Sequence, residues 1–205
     1  MDERTVVAIS AGLNQPSSSR MLTDRLAEAT VAELEARGTR PTVETVELRD
    51  VAHDVVNMML TGFSAGRLTE VLEKVAGADG LIAVSPLFSA TYSGLFKSFV
   101  DILDRESLAG MPVLLGATGG TPRHSLALEH AMRPLFTYLR ADVATTAVFA
   151  ATDDWAGQGD EPSPLPTRIR RAGRELAEMV ADRQSGGPAD LYADVPSFDQ
   201  MLGNL

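Results

Sequence analysis

Three consecutive serines precede a helical pattern near the start of the chain, in the segment Ser10-Ala-Gly-Leu-Asn-Gln-Pro-Ser-Ser-Ser-Arg20. A helix N-terminus attracts anions because its first N–H groups lack partners and its dipole is positive there. Ser17, Ser18 and Ser19 add hydroxyl donors, and Arg20 adds a charge that can grip a phosphate with two hydrogen bonds. A single serine would indicate only a helix N-cap. The whole cluster favours a phosphate site.

Two later segments combine small, hydroxyl and aromatic residues. The first reads Ser85-Pro-Leu-Phe-Ser-Ala-Thr-Tyr-Ser-Gly94 and could lay a flat aromatic ligand against backbone and ring surfaces. The second reads Ala117-Thr-Gly-Gly-Thr-Pro122, where paired glycines permit close backbone approach. Each of these two segments could also have a purely structural role. Ser93 could simply cap a helix, and a Gly-Gly pair occurs in many turns between a strand and a helix.

Missing motifs exclude several chemistries. The first segment contains neither G-x-G-x-x-G nor G-x-x-x-x-G-K-[ST], which argues against a dinucleotide-binding Rossmann fold and a P-loop nucleotidase. No G-x-S-x-G nucleophile elbow is present. His53, His124 and His130 lack metal-binding spacing, and the chain has no cysteine, so no metal site is expected.

Apolar runs alternate with helical patterns along the chain, which predicts βαβ units and a parallel sheet covered on both faces. We expect an α/β, flavodoxin-like, doubly wound five-stranded sheet in the order 2-1-3-4-5. The predicted strands are 5–9, 42–48 (at an edge), 80–84, 111–117 and 143–150, and the predicted helices are 18–37, 52–77 (broken), 93–104, 123–140 and 167–183.

Ligands of such sheets bind beyond the carboxyl ends of the strands, at the point where the strand order reverses. All three segments described above follow predicted strands and therefore meet at this edge. Together they describe a pocket with a phosphate end and a planar end. Flavin mononucleotide (FMN) fits that description.

Chain length and net charge limit the number of domains and the kinds of partner that this protein can have. The 205 residues suit a single domain, with residues 1–185 as the folded unit and residues 186–205 as a tail. A net charge of −10 argues against nucleic acid and anionic lipid as partners, and no apolar stretch is long enough to span a bilayer. We therefore expect a cytoplasmic protein.

The tail carries an apolar pattern of its own, with Phe198, Met201, Leu202 and Leu205 spaced i, i+3, i+4, i+7. This spacing predicts a short amphipathic helix. It could pack on its own core or on a second subunit, and the sequence leaves both possibilities open.

The sequence from Val84 to Trp155 closely resembles the NADPH-dependent FMN reductases of flavodoxin-like fold. The likeness is carried by S-P-L-F-S-A-T-Y-S-G-L-F-K-S-F-V-D-I-L and by A-G-M-P-V-L-L-G-A-T-G-G-T-P-R-H, and it extends over roughly residues 4–183. It is nearest to the reductases that supply reduced FMN to sulfonate monooxygenases and to luciferase-like monooxygenases. In related reductases of the sulfonate systems, the position of His130 falls in a helix with an extra, π-type residue.

The resemblance implies a set of FMN-binding residues. The phosphate would be held by Ser10, Ser17, Ser18, Ser19 and Arg20. The ribityl chain and the isoalloxazine ring would be lined by Pro86, Leu87, Phe88, Ser89, Ala90 and Tyr92, with Thr118, Gly119 and Gly120 at the pyrimidine edge.

By the same likeness, the expected activity is transfer of a hydride from NADPH or NADH to FMN, with reduced FMN passed to a two-component monooxygenase. The cofactors carry this chemistry, so no catalytic acid or base is expected. A homodimer or homotetramer is also implied. Two alternatives stay open: a reductase of quinones or azo dyes that keeps its FMN, and a flavodoxin-like electron carrier.

Overall fold

A computed structural model describes residues 2–155 and 164–183. The predicted tail, residues 186–205 with its amphipathic helix, lies outside the described residues. No helix of the described part is long and apolar enough to cross a membrane.

The described chain alternates strands and helices. The strands are β1 (Glu3–Ser10), β2 (Arg40–Glu47), β3 (Gly80–Phe88), β4 (Thr91–Tyr92), β5 (Pro112–Gly119), β6 (Asp142–Val143) and β7 (Val148–Ala151). The α-helices are α1 (Ser18–Ala36), α2 (Ala52–Thr61), α3 (Arg67–Ala76), α4 (Gly94–Asp101), α5 (Arg133–Tyr138), α6 (Thr152–Trp155) and α7 (Leu165–Asp182). A 3₁₀ turn, Leu48–Val51, separates β2 from α2.

The sheet confirms the predicted fold class. Its order is β2-β1-β3-β5-β6, and all pairings along this path are parallel. Strand β2 lies at the edge, as its alternating pattern predicted. Because β1 and β3 are neighbours, the strand order reverses between them, and the carboxyl end of the sheet presents a crevice there.

Alternation along β1 divides the core between the two faces of the sheet. Val6 and Ala8 join the cluster beneath α1 and α7, and Val7 and Ile9 join the cluster beneath α2 to α5. Helix α7 approaches α1 closely at Gly173, where an added β-carbon would lie 2.7 Å from that of Ala29.

The predicted fifth strand, 143–150, is broken into β6 and β7, both parallel to β5. Side chains of other elements form hydrogen bonds with the backbone between β6 and β7. The Glu175 carboxylate accepts hydrogen bonds from the N–H groups of Thr145 and Thr146, while Arg133 donates to the carbonyls of Ala144 and Thr145. The strand is interrupted because these bonds replace ladder bonds.

The predicted helix over 123–140 is also divided. It consists of a 3₁₀ turn (Pro122–His124), a π-helical turn (Leu128–Met132) and α5. Pro134 has no N–H and cannot donate the α-helical bond to the carbonyl four residues earlier. His130 lies within the π-helical turn.

Candidate functional site

A cleft of about 240 Å³ lies at the carboxyl ends of β1, β3 and β5. It is formed by the loop from β1 to α1, the end of β3, the loop after β5 and the start of α6. The lining residues are Gly12, Leu13, Asn14, Pro16, Ser17, Ser18, Ser19, Pro86, Leu87, Phe88, Thr118, Gly119, Gly120 and Thr152.

All three segments singled out in the sequence contribute to this cleft. Of the 14 residues predicted to hold FMN, nine line it: Ser17, Ser18, Ser19, Pro86, Leu87, Phe88, Thr118, Gly119 and Gly120. The other five, which do not line it, are Ser10, Arg20, Ser89, Ala90 and Tyr92.

Ser10 ends β1, two residues before Gly12 of the cleft. Its side chain is buried, and its hydroxyl has no hydrogen-bond partner within the described residues. Leaving a buried hydroxyl unpaired costs about 1–3 kcal/mol, so such a group indicates a missing partner. A phosphate above the first turn of α1 would supply one. The residues at this end therefore fit the phosphate of FMN.

Ser17 serves as the N-cap of α1, with its Oγ accepting a hydrogen bond from the Arg20 N–H at 3.2 Å. Ser17 is therefore a helix N-cap that also lines the cleft. Gly12 is required beside it, because a β-carbon at Gly12 would collide with the Ser17 hydroxyl. Ser18 remains exposed at the cleft.

The Arg20 side chain forms hydrogen bonds with two carboxylates and does not line the cleft. Its Nε donates to Asp24 at 2.8 Å, and its Nη1 donates to Glu47 at 2.8 Å. The hydrogen bond to Asp24 is the main cause that raises the pKa of Arg20 above its ordinary value. Two ion pairs leave this guanidinium little free charge for a phosphate.

Arg49 is a second arginine at the phosphate end, and sequence reasoning missed it. Its Nε lies 2.9 Å from a Glu47 carboxylate oxygen, and its Nη1 lies 3.5 Å from the carbonyl of Asn14, which lines the cleft. Arg49 also lies 3.7 Å from the Asp50 carboxylate. The 3₁₀ turn after β2 brings it there.

The end of β3 and the short strand β4 form a hairpin, where the sequence predicted a loop. Leu87 pairs with Tyr92 and Phe88 with Thr91, joined by a turn of Ser89 and Ala90. Both turn residues have positive φ, 51° and 71°, the combination typical of a type I′ turn. The hairpin turns Ser89 and Ala90 away from the cleft and keeps Pro86, Leu87 and Phe88 on it.

Hydrogen bonds hold the base of this hairpin. The Ser85 hydroxyl accepts from the Ser93 N–H at 3.0 Å, and the Ser93 hydroxyl caps α4 by accepting from the Phe96 N–H at 3.2 Å. The Tyr92 ring packs against Phe96, with ring centroids 5.9 Å apart. Tyr92 thus supports the hairpin from the core side.

The two glycines after β5 differ in surroundings. A β-carbon at Gly119 would lie 2.9 Å from the Phe149 ring, whereas one at Gly120 would meet nothing within 4 Å. Gly119 therefore allows the loop to pack on β7, and Gly120 faces open space at the cleft.

Five lining residues were absent from the predicted set: Gly12, Leu13, Asn14 and Pro16, which belong to the loop after β1, and Thr152. Thr152 follows the last strand, so the rule that ligands bind beyond strand ends could have found it. Asp154 fixes its position, because the Asp154 carboxylate accepts from the Ala151 N–H at 2.8 Å and from Arg168 at 2.7 Å.

Within residues 2–155 and 164–183, none of the residues that line the cleft is a carboxylate, histidine, lysine or arginine. The lining offers hydroxyls, backbone groups and apolar surface. It can hold and orient a ligand with a phosphate and a planar ring, but it supplies no general acid or base. That composition suits transfer of a hydride between two cofactors.

Known proteins match this chain over most of its length. The family model described as NADPH-dependent FMN reductase matches residues 4–156. An FMN reductase (NADPH) of Pseudomonas aeruginosa is 35% identical over 87% of this chain and 93% of its own. The NADH-dependent FMN reductase SfnF of Pseudomonas fluorescens is 35% identical over 85% of this chain and 90% of its own.

The fold is matched by solved structures as well. An oxidoreductase from Corynebacterium diphtheriae superposes with a TM-score of 0.85 at 43% identity and covers 90% of this chain and 100% of its own.

Proposed function

Because the chain belongs to the NADPH-dependent FMN reductase family, we propose that it transfers a hydride from NADPH or NADH to FMN in the cleft. One observation carries the assignment to this site: three segments distant in sequence form a single cleft with hydroxyls at one end and apolar surface and glycines at the other. FMN matches both ends.

In the proposed complex, the phosphate contacts Ser17, Ser18 and Ser19 and supplies the partner that the Ser10 hydroxyl lacks. Pro86, Leu87 and Phe88 lie against the ring system, and Thr118, Gly119 and Gly120 lie at its polar edge. Bound FMN supplies the hydride-accepting ring. Ser89, Ala90 and Tyr92 act from behind this surface, by fixing the hairpin.

The protein's own contribution is binding and orientation. Alignment of two reacting rings removes much of the entropic cost of their encounter. The Ser19 and Thr118 hydroxyls are hydrogen-bonded to each other at 2.8 Å, which ties the phosphate loop to the loop at the ring edge. The fold thereby holds both ends of the cleft at a fixed separation.

We further propose that reduced FMN leaves the site for a flavin-dependent monooxygenase. Phe88 is 46% exposed and Leu13 49% exposed, so the apolar wall of the cleft opens to solvent. The SfnF relative of Pseudomonas fluorescens is an NADH-dependent FMN reductase, which supports NADH beside NADPH as a donor.

Anaerobic titration of the protein with FMN and either NADPH or NADH tests the activity. Loss of the visible flavin absorption band is expected with at least one donor. An electron carrier of the flavodoxin type would not react. Steady-state turnover with free FMN, compared with a quinone and an azo dye, separates a flavin-supplying reductase from one that keeps its FMN.

We also propose a homo-oligomer, dimer or tetramer, with a second copy of this chain on α2. Val56, Met59 and Leu60 are spaced i, i+3, i+4 on α2, and Phe63 follows the end of the helix; Leu60 and Phe63 are 80% and 79% exposed. Helix α2 packs beside α4, which carries Lys97 of the motif Ser93-Gly-Leu-Phe-Lys97, and the family resemblance implies that this helix forms subunit contacts. The apolar surface therefore continues the expected interface.

Light scattering tests this assembly. The parent is expected to be an even-numbered oligomer, and Phe63→Asp is expected to dissociate it. Leu126→Asp is the matched control, because Leu126 is 63% exposed on a different part of the molecule. A monomeric parent at micromolar concentration would refute the proposal.

A further inference from the structure

The proposed reaction brings two phosphate-bearing molecules to one cleft. FMN carries its phosphate at the α1 end. The nicotinamide donor must lay its ring against the flavin ring, so its own phosphates extend from the ring end of the cleft. A cation there would bind them, and the inference that follows rests on the proposed function.

The arginines at the α1 end are already engaged. Arg20 is paired with Asp24 and Glu47, and Arg49 lies against Glu47 and Asp50. Neither offers a free guanidinium to an incoming phosphate.

Arg123 differs from both. It lies three residues after Gly120, in the 3₁₀ turn Pro122–His124. Its side chain is exposed, and it makes no hydrogen bond or ion pair with any residue that the structure describes.

A hydrogen bond closes the backbone turn that carries Arg123. The Ser125 N–H donates to the Pro122 carbonyl at 3.1 Å, which closes the turn, and Pro122 fixes its first residue. The turn lies against β7, the strand that leads to Thr152 of the cleft. Arg123 therefore follows the cleft residue Gly120 closely in the chain, on a hydrogen-bonded turn that lies against β7.

We propose that Arg123 binds a phosphate of the nicotinamide donor. A guanidinium suits this role because it is planar, always charged and able to form two parallel hydrogen bonds to phosphate oxygens. Both the diphosphate that NADH and NADPH share and the 2′-phosphate of NADPH have this chemistry. The difference between the two donors identifies which phosphate is bound.

The first test measures binding without catalysis. The protein free of FMN is titrated with NADP⁺ and NAD⁺ by calorimetry, as the parent, as Arg123→Ala and as Arg174→Ala. Arg174 is the control, because it is also exposed and without a partner in the described chain, but it lies on α7. A loss of about tenfold in affinity is expected for Arg123→Ala, and none for Arg174→Ala.

An equal loss for both dinucleotides identifies the diphosphate, and a loss confined to NADP⁺ identifies the 2′-phosphate. Unchanged affinity for both, or no binding to the parent, overturns the proposal.

The second test uses kinetics. Arg123→Ala is expected to raise KM for the preferred donor about tenfold, with kcat and FMN affinity unchanged. N-benzyl-dihydronicotinamide has no phosphate, so it should reduce FMN equally well with parent and variant. An equal loss with this donor would mean that Arg123 acts on the ring geometry and would contradict the proposal. Failure of the parent to reduce FMN with any donor would instead overturn the proposed function, and the binding titrations would still decide the role of Arg123.

Discussion

The Ser19 Oγ lies 2.8 Å from the Thr118 Oγ1, and both side chains are buried. This bond joins the first turn of α1 to the end of β5 directly beneath the cleft. The two residues are 99 positions apart in the chain, yet they are the point at which the phosphate loop and the ring-edge loop touch.

Ser19→Ala is expected to lower the free energy of unfolding by about 1–2 kcal/mol, because it leaves the Thr118 hydroxyl buried without this partner. FMN affinity should fall as well, since the two loops would no longer be held together. Urea unfolding and flavin titration measure the two effects.

Thr30→Val is the matched control for Ser19→Ala. The Thr30 hydroxyl is buried on the same helix but bonds to the Leu26 carbonyl, away from the cleft. The Thr30→Val substitution should lower the free energy of unfolding and leave FMN affinity unchanged. Loss of FMN affinity in both variants would show that the Ser19–Thr118 bond has no specific role in the site.

Gly119→Ala and Gly120→Ala are expected to act differently. The first places a methyl group against the Phe149 ring and should destabilise the fold by about 1–3 kcal/mol. The second adds a methyl group in open space at the cleft, so stability should be retained while FMN affinity falls. Circular dichroism with flavin titration checks both variants, and parental FMN affinity in Gly120→Ala would contradict the placement of the ring edge.

The Arg20→Ala variant tests whether Arg20 binds the FMN phosphate, as the sequence predicted, or serves mainly in its ion pairs with Asp24 and Glu47. Direct phosphate binding by Arg20 would require a loss of roughly tenfold to a hundredfold in FMN affinity. Because Asp24 and Glu47 already pair with the guanidinium, we expect a change of less than about threefold, together with a small loss of stability. Riboflavin, which lacks the phosphate, is the control ligand.

Glu175→Gln is expected to destabilise the protein at neutral pH and to reduce its sensitivity to acid. Burial acts to raise the pKa of Glu175, but the hydrogen bonds from Thr146 and Thr145 outweigh it and hold the pKa below its ordinary value of 4.5. A lowered carboxyl pKa stabilises the fold above about pH 4.5, and this contribution is lost as the pH falls through the folded-state pKa.

Melting temperatures of parent and Glu175→Gln should therefore differ most at neutral pH and converge in acid. Glu178→Gln on the same helix is the control, since Glu178 forms an exposed pair with Arg37 and should matter little. A difference that stays constant with pH would mean that the carboxylate charge is not responsible.

Ala90→Gly is expected to raise the free energy of unfolding by about 1 kcal/mol. Ala90 has a φ of 71°, where a β-carbon is strained and glycine is not. Chemical unfolding measures the gain. Ala76→Gly, near the end of helix α3, provides the comparison and should be destabilising. A loss of stability in Ala90→Gly would show that the side chain contributes more than its strain costs.

The sequence predicted those features that depend on local pattern. The buried run of β1, the edge character of β2 and the break between α2 and α3 follow from periodicity and from glycines near the helix ends. The cleft followed from one topological rule, because Ser17, Phe88 and Gly120 all come after strands of the same sheet.

The sequence could not predict features that depend on remote partners. The fifth strand is broken because Glu175 binds its backbone from 29 or 30 positions away. The hairpin after β3 was missed because Ser89 and Ala90 are not the Asn-Gly or Gly-Gly pairs that normally indicate a type I′ turn. The ion pair between Arg20 and Glu47 depends on the pairing of β1 with β2.

The two-residue turn of the hairpin also limits how this part of the protein can vary in length. Successive residues of a strand face opposite sides, so an insertion of one residue between Pro86 and Leu87 would exchange the orientations of Leu87 and Phe88 and move Leu87 out of its pairing with Tyr92. An insertion of two would restore them. Length changes in this hairpin should therefore be tolerated in pairs, and single insertions should disturb the packing of the hairpin on the core and alter the apolar wall of the cleft even where the fold survives.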